Sequence, residues 1–331
     1  MGMLLGFTDK FAVAIGLWPV ASFCFTLPIL AFLYHRDGRI RIWSACGAYL
    51  AVLYGLSLIC FTLYPMPSGE SGLGITYGIP PQLDPLAFIG DIRKDGMHAI
   101  FQIAANVAFF VPLGFIAGRA FGLRLSRALA LGFAASLTVE MAQLTGCFGV
   151  YPYAYRTFDV DDLIWNTAGA SIGWGCARLL AILLPPGVRE DLTPTDKPGF
   201  IRRITAFCLD MLLVMTLTAL IGSVAALVQV LAGQTDFAHA EAFQGSWMFW
   251  TGVAVWTVVE GAVPWVRGGL TPGGGFVRMT IETRPRTGLR REAFYFARLA
   301  TFACAFWWLP LAVPVLLLFY LVNRCMPYDL I

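Results

Sequence analysis

The chain alternates between long apolar stretches and shorter polar segments, and the apolar stretches are long enough to cross a membrane. A transmembrane helix needs about 20 consecutive, mainly apolar residues. Roughly eight runs meet this requirement, near residues 11–34, 42–63, 99–120, 127–145, 163–184, 204–232, 247–266 and 299–322. The pattern predicts an all-α polytopic membrane protein with about eight transmembrane helices, five in the first half and about three in the second.

The composition indicates the same class. Hydrophobic residues make up 58% of the chain and charged residues 13%, and the mean hydropathy is +0.71. Soluble domains are about half apolar and one quarter charged. We therefore expect a multi-pass protein of the cell membrane, surrounded by the lipid bilayer. The net charge of +3 gives no reason to expect a nucleic-acid partner.

Lysine and arginine residues predict the orientation, because cytoplasmic loops are enriched in them. With an extracytoplasmic N-terminus and simple alternation of the spans, 18 of the 23 Lys and Arg residues lie inside and 5 outside. Arg324 is then outside. Pro310 and Pro314 could instead break the last run into a re-entrant hairpin, which would return Arg324 and Asp329 to the cytoplasm.

A segment rich in proline, glycine and charged residues separates the two groups of spans. This composition is typical of an inter-domain linker. We predict a first transmembrane domain over 1–184, a cytoplasmic linker over 185–198 and a second transmembrane domain over 199–331. No internal repeat relates the halves, although many secondary transporters have one.

Polar residues in and beside the spans of the first domain are its sharpest chemical feature. An ionisable side chain in lipid costs at least about 3 kcal/mol and needs a partner. Glu140 and Gln143 share one face near the outer end of the fourth span. Asn106 lies about two turns into the third span, and Arg156 follows in an outer loop. The predicted topology brings all four to the extracytoplasmic side.

The fifth span carries a helical stripe that is polar at its outer end and small deeper in the membrane. Asp159, Asp162, Asn166, Gly169 and Gly173 follow the spacing i, i+3, i+7, i+10 and i+14. The two glycines form a G-x-x-x-G motif, which lets another helix approach closely. We therefore predict that the stripe faces protein, with its acidic residues toward the same interior as the acid of the fourth span.

Three ordered motifs in the first domain resemble the VanZ-like family. They are N-V-A-F-F-V-P-L-G-F from Asn106, S-L-T-V-E-M-A-Q from Ser136, and R-T-F-D-V-D-D-L-I-W-N-T-A-G-A-S-I-G from Arg156. The resemblance covers roughly residues 40–180 and implies a bacterial protein. The founding member is associated with low-level resistance to the glycopeptide teicoplanin. By position, the family's characteristic polar residues are Asn106, Glu140, Gln143, Arg156, Asp159, Asp162 and Asn166.

The polar set allows a structural role, or a binding role without chemistry. In the structural interpretation, Arg156 pairs with an aspartate, and Glu140 hydrogen-bonds Asn106 or Asn166 to lock the bundle. In the binding interpretation, the site recognises or transports an amphiphile. A small-molecule or cation transporter would use Glu140 and Asp210 as its coupling carboxylates.

A catalytic role is the third interpretation. Glu140 would act as general acid or base, with Asp159, Asp162 and Arg156 as further catalytic residues. The substrate-binding residues would be Asn106, Gln143 and Asn166. The substrate would be an envelope lipid or lipid-linked precursor reached from the outer leaflet. Its modification, or protection against glycopeptides of the teicoplanin type, is the predicted function.

Metal binding has less support in the sequence. Carboxylates suit Mg²⁺ or Ca²⁺, and Asp159 with Asp162 would be the place for a divalent cation. No histidine or cysteine stands at ligand spacing, and the scattered cysteines predict neither a disulfide framework nor a zinc site. The histidines, His35, His98 and His239, lie in or beside predicted loops, where we expect them to be solvated.

The second domain resembles the RDD family, which is named for an arginine and two aspartates. The resemblance rests on R-R-I-T-A-F-C-L-D from Arg202 and on L-T-P-G-G-G-F-V-R-M-T-I-E-T after the seventh span. The matching positions are Arg203 (or Arg202), Asp210 and Asp329. The family implies a role in transport, whereas the structural alternative is an ion pair of Asp210 with Arg202, Arg203 or Arg298.

The second domain differs from the RDD pattern at two places, and it also contains one basic segment. The family usually continues past Asp329 with a short tail, which suggests a truncated C-terminus here, and Gly274 stands where a basic residue is favoured. The loop over 267–298 is rich in arginine. We expect it to contact anionic lipid of the inner leaflet.

Overall fold

The structure is a computed structural model that describes residues 2–63, 80–151, 154, 156–185, 193–232 and 237–331. In these ranges the chain is helical, and its β-structure is limited to two isolated bridges. Seven of the helices are long and apolar enough to cross a membrane. The prediction of an all-α polytopic membrane protein is confirmed.

The chain divides into two compact units that interleave along the sequence. The first unit comprises Met1–Cys24 and Cys46–Val188, and the second comprises Phe25–Ala45 and Arg189–Ile331. The first helix therefore contributes residues to both units. Part of the predicted linker, 186–192, lies outside the described residues, and the domain boundaries stay a prediction.

The first unit contains the N-terminal part of α1 and the six helices that follow. In chain order they are α1 (Gly2–Asp37), α2 (Ile42–Leu63), α3 (Ala87–Asp95), α4 (Met97–Arg119), α5 (Leu125–Leu144), α6 (Gly146–Gly149) and α7 (Val160–Leu183). α6 is a single turn in which Cys147 and Phe148 have positive φ. Residues 64–79, which belong to a predicted outer loop, lie outside the described residues, and α3 follows them.

Helices α4 and α7 pack with their backbones in direct contact. A Cβ atom at Gly169 would overlap the carbonyl oxygen of Val107, and one at Gly173 would overlap that of Val111. Only glycine allows this approach, so the small-residue stripe does face another helix, as predicted. α7 is the fifth predicted span, although it is not among the seven most apolar helices; its inner face carries glycine, alanine and Asn166.

The second unit follows residues 25–45 with helices, a π-helical turn and a C-terminal 3-10 turn. In chain order these are α8 (Phe200–Leu231), α9 (Phe237–Thr257), the π-turn (Val258–Ala262), α10 (Val263–Val266), α11 (Pro272–Phe276), α12 (Leu289–Trp307), α13 (Leu309–Asn323) and the 3-10 turn (Pro327–Leu330). The buried core of this unit consists of Tyr34, Ala206, Val277, Met279, Ile281, Phe294, Tyr295, Met326 and Tyr328.

The last predicted span is divided into two helices. α12 ends before Trp308, whose φ of −126° and ψ of 37° are not helical, and α13 follows. Beyond α13, the chain returns to the beginning of α12: Tyr328 packs edge-on against Phe294 at 5.8 Å between ring centroids, and Arg286 donates to the carbonyl of Asp329 at 3.0 Å. The structure thus supports the hairpin interpretation of this run, with Arg324 on the same side as the basic loop.

Candidate functional site

A polar cavity of about 230 Å³ lies in the first unit, where α1, α2, α4, α5 and α7 meet. Six of the polar residues predicted from the sequence line it, namely Asn106, Glu140, Gln143, Arg156, Asp162 and Asn166. Four further polar residues, to which the sequence analysis gave no role in a site, also line it: Lys10, Thr62, His98 and Gln102. The helix ends that surround this cavity are those predicted to be extracytoplasmic.

Glu140 lies in the last two turns of α5 and is 2% exposed. Its Oε2 accepts a hydrogen bond from the backbone N–H of Asp159 at 3.0 Å. Neither Asn106 nor Asn166 binds it, so the partners expected in the structural interpretation are wrong. Among the described residues, Oε1 of Glu140 has no protein donor.

Side-chain amides connect the helices around the cavity. Asn106 on α4 donates to Oδ1 of Asp162 in the first turn of α7. Deeper along α7, Asn166 donates to the hydroxyl of Ser136 on α5 at 2.9 Å. Oδ1 of Asn166 is buried and lacks a partner within the described part of the chain. A buried acceptor without a donor is costly, and this one belongs to a residue that lines the cavity.

Asp159 is the one predicted site residue that does not line the cavity. It is the N-cap of α7: its Oδ1 accepts from the backbone N–H of Asp161 at 2.9 Å and from Gln82 at 3.3 Å. Capping of this kind satisfies an N–H group that has no partner within the helix. Asp159 therefore positions its own N–H, which binds Glu140.

Asp161 was not singled out from the sequence, yet it is 5% exposed. Its Oδ2 accepts from the backbone N–H of Phe88 at 2.8 Å and so binds the beginning of α3. The side chains of Phe88 and Trp165 pack edge to face at 5.4 Å. The short helix α3 is thereby attached beside the N-terminal end of α7. The sequence signal for Asp161 was its place in the first turn of a helix, where carboxylates are favoured.

Two cationic side chains line the cavity. Lys10 of α1 donates to the backbone carbonyl of Phe61 at 3.3 Å. Arg156 is exposed, and no carboxylate of a described residue lies within 4.0 Å of it. The ion pair of Arg156 with an aspartate, expected in the structural interpretation, is therefore not formed between described residues.

Both histidines whose side chains are described are exposed, in agreement with the prediction that they are solvated. His98 lies in the first turn of α4 and lines the cavity. His35, at the end of α1, stacks on Phe276 at 4.5 Å between ring centroids. The side chain of His239 is outside the described residues.

A metal centre finds no further support in the described ranges, which hold no group of three or more His, Cys, Asp and Glu side chains arranged to bind an ion. The carboxylate of Asp162 accepts from Asn106, and that of Asp159 caps α7. The divalent cation suggested for this aspartate pair stays a prediction.

In the second unit, the residues of the RDD motif are bonded to protein, and both of its aspartates are buried. Arg203 forms an ion pair with Asp329 at 2.9 Å. Asp210, which is 1% exposed, accepts from the backbone N–H of Gly273 at 2.6 Å. Among the described residues no arginine pairs with Asp210 within 4.0 Å. The expected ion pair of Asp210 is therefore wrong, and its carboxylate instead binds the first turn of α11.

A second buried ion pair was missed by the sequence analysis. Arg298 on α12 pairs with the carboxylate of Glu260 in the π-turn and donates to the carbonyl of the same residue at 2.6 Å. Glu260 is 0% exposed. Its sequence signal, a single acid in the apolar run V-V-E-G-A, is the same as that of Glu140, and it could have been found in the same way.

The basic loop of the second unit is less exposed than expected. Arg286 and Arg298 are buried, and burial lowers the pKa of the Arg286 guanidinium, against the effect of the nearby Asp329 carboxylate. Arg291 donates to Glu282 at 2.8 Å, which raises the pKa of Arg291. The arginines of the loop that are exposed and available to lipid headgroups are Arg267, Arg284 and Arg290.

A second cavity, of about 130 Å³, lies within the second unit between α8, α12 and α13. Most of its lining is apolar, including Phe207, Phe302 and Phe306. The polar residues that line it are Arg203, Asp210, Thr271 and Arg298.

These features define a multi-pass, α-helical membrane protein with a polar cavity in its first half and buried ion pairs in its second. Family models match both halves: VanZ/LLP1 over residues 51–181 and the RDD family over residues 197–331. The chain carries a VanZ-like domain fused to an RDD-family domain, and it is a bacterial protein of the cell membrane. None of the curated proteins and none of the solved structures matches the chain.

Proposed function

We propose that the VanZ-like half acts at the outer face of the membrane on an envelope lipid or a lipid-linked sugar, and that this action protects against glycopeptides of the teicoplanin type. Glu140 is its general acid or base. The observation that carries the proposal is the burial of this carboxylate in a polar cavity of about 230 Å³, where one oxygen is held by a single backbone N–H.

The environment of Glu140 suits proton transfer. A general acid or base must reach the substrate with an oxygen that the protein does not occupy. Oε2 accepts from Asp159, which orients the carboxylate, and Oε1 has no donor among the described residues. The amides of Asn106, Gln143 and Asn166 line the same space and are suited to the hydroxyl groups of a sugar or glycerol headgroup.

Hydrogen-bonding capacity that the protein leaves unused in the cavity is available to a ligand. Here the acceptor Oδ1 of Asn166 is buried without a partner in the described part of the chain, and Arg156 has no counter-ion there. A substrate that enters the cavity would supply a donor for Asn166 and a counter-ion for Arg156.

The proposal is tested by mass spectrometry of envelope lipids and cell-wall precursors from cells that express the chain or its Glu140→Gln variant at matched levels. A component whose mass changes only with the intact carboxylate is expected. The matched control is Glu292→Gln, which removes an exposed carboxylate in the other half and should leave the change intact. Identical profiles with teicoplanin tolerance still dependent on Glu140 would exclude the enzyme and favour binding.

Transport is a second candidate function, favoured by the apolar cavity of the RDD-like half with Asp210 in its lining. A carboxylate within a membrane span is often an ion or proton site. In proteoliposomes, Asp210→Asn would abolish pH-dependent uptake of the transported molecule. Uptake that survives this change would eliminate Asp210 as the coupling residue.

A further inference from the structure

Lys10 and Arg156 line the same cavity as Glu140, and the sequence analysis gave Lys10 no role. We propose that these two side chains bind the phosphate group of a phosphate-bearing amphiphile. The inference rests on the proposed function of this cavity and narrows its substrate class from envelope lipids in general to those with a phosphate beside the reacting centre.

Both cations have hydrogen-bonding capacity that the protein does not use. An ammonium group has three donors and a guanidinium has five. Lys10 donates to one carbonyl, that of Phe61, and Arg156 has no ion pair with a described residue. Both cations line one cavity, and an anion bound between them would offset the repulsion of their charges.

The carboxylates of the cavity do not neutralise these cations by direct contact. Glu140 is bound by a backbone N–H, and Asp162 is bound by the amide of Asn106. No ion pair within 4.0 Å joins either acid to Lys10 or Arg156 in the described part of the chain. Neutral donors thus hold the acids in place and leave the cations available to a ligand.

The pair of lysine and arginine side chains fits a phosphate group better than it fits a carboxylate group. Arginine presents a planar fork that matches two phosphate oxygens, and lysine adds a point charge that can reach the third. The remaining wall of the cavity is apolar and includes Phe61, Phe109 and Phe110. A phosphate attached to a hydrocarbon chain satisfies both parts of the lining, whereas inorganic phosphate satisfies only one.

The experiment measures binding of farnesyl phosphate, farnesol and inorganic phosphate to the purified full chain in neutral detergent, by isothermal titration calorimetry. Farnesyl phosphate should bind most tightly. Because hydrogen bonds between charged groups are strong, Lys10→Met and Arg156→Gln should each weaken it by about tenfold or more. Tight binding of inorganic phosphate that is equally sensitive to both variants would show that the site binds the free anion. It would contradict the proposal of a phosphate-bearing amphiphile.

The matched controls are Lys94→Met and Arg93→Gln, which remove two exposed cations of α3 in the same unit. Both should bind farnesyl phosphate within about twofold of the parent chain, since surface charges contribute little. Equal losses of farnesyl phosphate binding in the control and cavity variants would mean that general surface charge, and not this cavity, causes the effect. Lys10→Arg keeps the charge and should retain binding, and a thermal unfolding scan of each variant separates lost binding from lost structure.

Glu140→Gln distinguishes this inference from the proposed reaction. The variant removes a negative charge beside the anion, so farnesyl phosphate should bind to it at least as tightly as to the parent chain. Retained phosphate binding without any change in the envelope profile would preserve the phosphate site and reject the reaction. The reverse result, a change in the envelope that depends on Glu140 while Lys10→Met and Arg156→Gln bind normally, would reject the phosphate site alone.

Discussion

Both halves of this protein bury carboxylates, but the groups that bind these carboxylates differ. In the RDD-like half, Arg203 pairs with Asp329, and Arg298 pairs with Glu260. In the VanZ-like half, Glu140 is bound by a backbone N–H, and no described carboxylate pairs with the arginine that lines its cavity. Glu140 and Glu260 are similarly buried, whereas their partners differ.

This difference teaches how to read a charge in a membrane helix. A carboxylate with a guanidinium partner has its charge balanced by the protein, and removal of either member leaves an uncompensated charge. A carboxylate oriented by neutral donors beside an open cavity leaves its charge and lone pairs to a ligand. The first arrangement predicts large losses of stability on mutation, and the second predicts loss of function with small losses of stability.

The largest effect is expected at the ion pair of Glu260 with Arg298. Glu260→Gln leaves the buried guanidinium without a counter-ion, so the free energy of unfolding in detergent should fall by about 3–5 kcal/mol. The double variant Glu260→Met with Arg298→Met removes both charges and should recover most of the loss. Denaturant titration of the purified chain measures both, with the exposed Glu292→Gln as control. If Glu260→Gln lowered the free energy of unfolding no more than Glu292→Gln does, the two halves would not differ in how they use buried charges.

A smaller effect is expected where α4 and α7 touch. Gly173→Ala places a methyl group against the carbonyl oxygen of Val111, and such overpacking costs about 1–3 kcal/mol. Gly175→Ala on the same helix has open space around it and should be neutral or slightly stabilising. The same titration compares the two variants, and equal stability would show that the backbones are farther apart than described.

Asp210→Asn should have a modest effect on stability. The amide oxygen can still accept from Gly273, but the hydrogen bond loses its charge, which reduces stability by about 1 kcal/mol. Asp196→Asn, an exposed carboxylate of the same unit, should change nothing measurable. A loss as large as that of Glu260→Gln would mean that an arginine pairs with Asp210 after all.

The smallest effect on stability is expected at Glu140. Glutamine can accept from the N–H of Asp159 in the same way, and removal of a buried charge offsets the weaker hydrogen bond, so the change should be below about 1 kcal/mol. Glu140→Gln and Glu260→Gln thus make the same substitution at two buried sites with opposite outcomes. Unfolding of Glu140→Gln as easily as Glu260→Gln would support the structural interpretation of the cavity.

Much of the candidate site could be predicted from the sequence, because an acid in an apolar run is recognisable without coordinates. Asn106, Glu140 and Asp162 were found in this way and line one cavity. Asp159 was expected beside them, yet it caps α7, because the direction of a side chain at a helix terminus depends on local backbone geometry. Lys10 was missed because its position near the start of α1 gives no sign of which helices surround it.

The topology of the last hydrophobic run is another feature that the sequence could not predict. Hydropathy counts residues and therefore cannot detect a reversal at Trp308, and the charge count alone left two topologies open. The contact of Arg286 with the backbone of Asp329 favours the hairpin, since it joins residues on either side of the reversal.

The sequence by itself determined the membrane class, the helices and the set of polar residues to explain, because span length and the cost of charge in lipid are properties of local segments. Only the tertiary structure decided which charges are paired: Glu260 with Arg298, Asp329 with Arg203, and neither Lys10 nor Arg156 with a described carboxylate. These relations join segments far apart along the chain, and helical periodicity shows which face of a helix is buried but not which helix covers it.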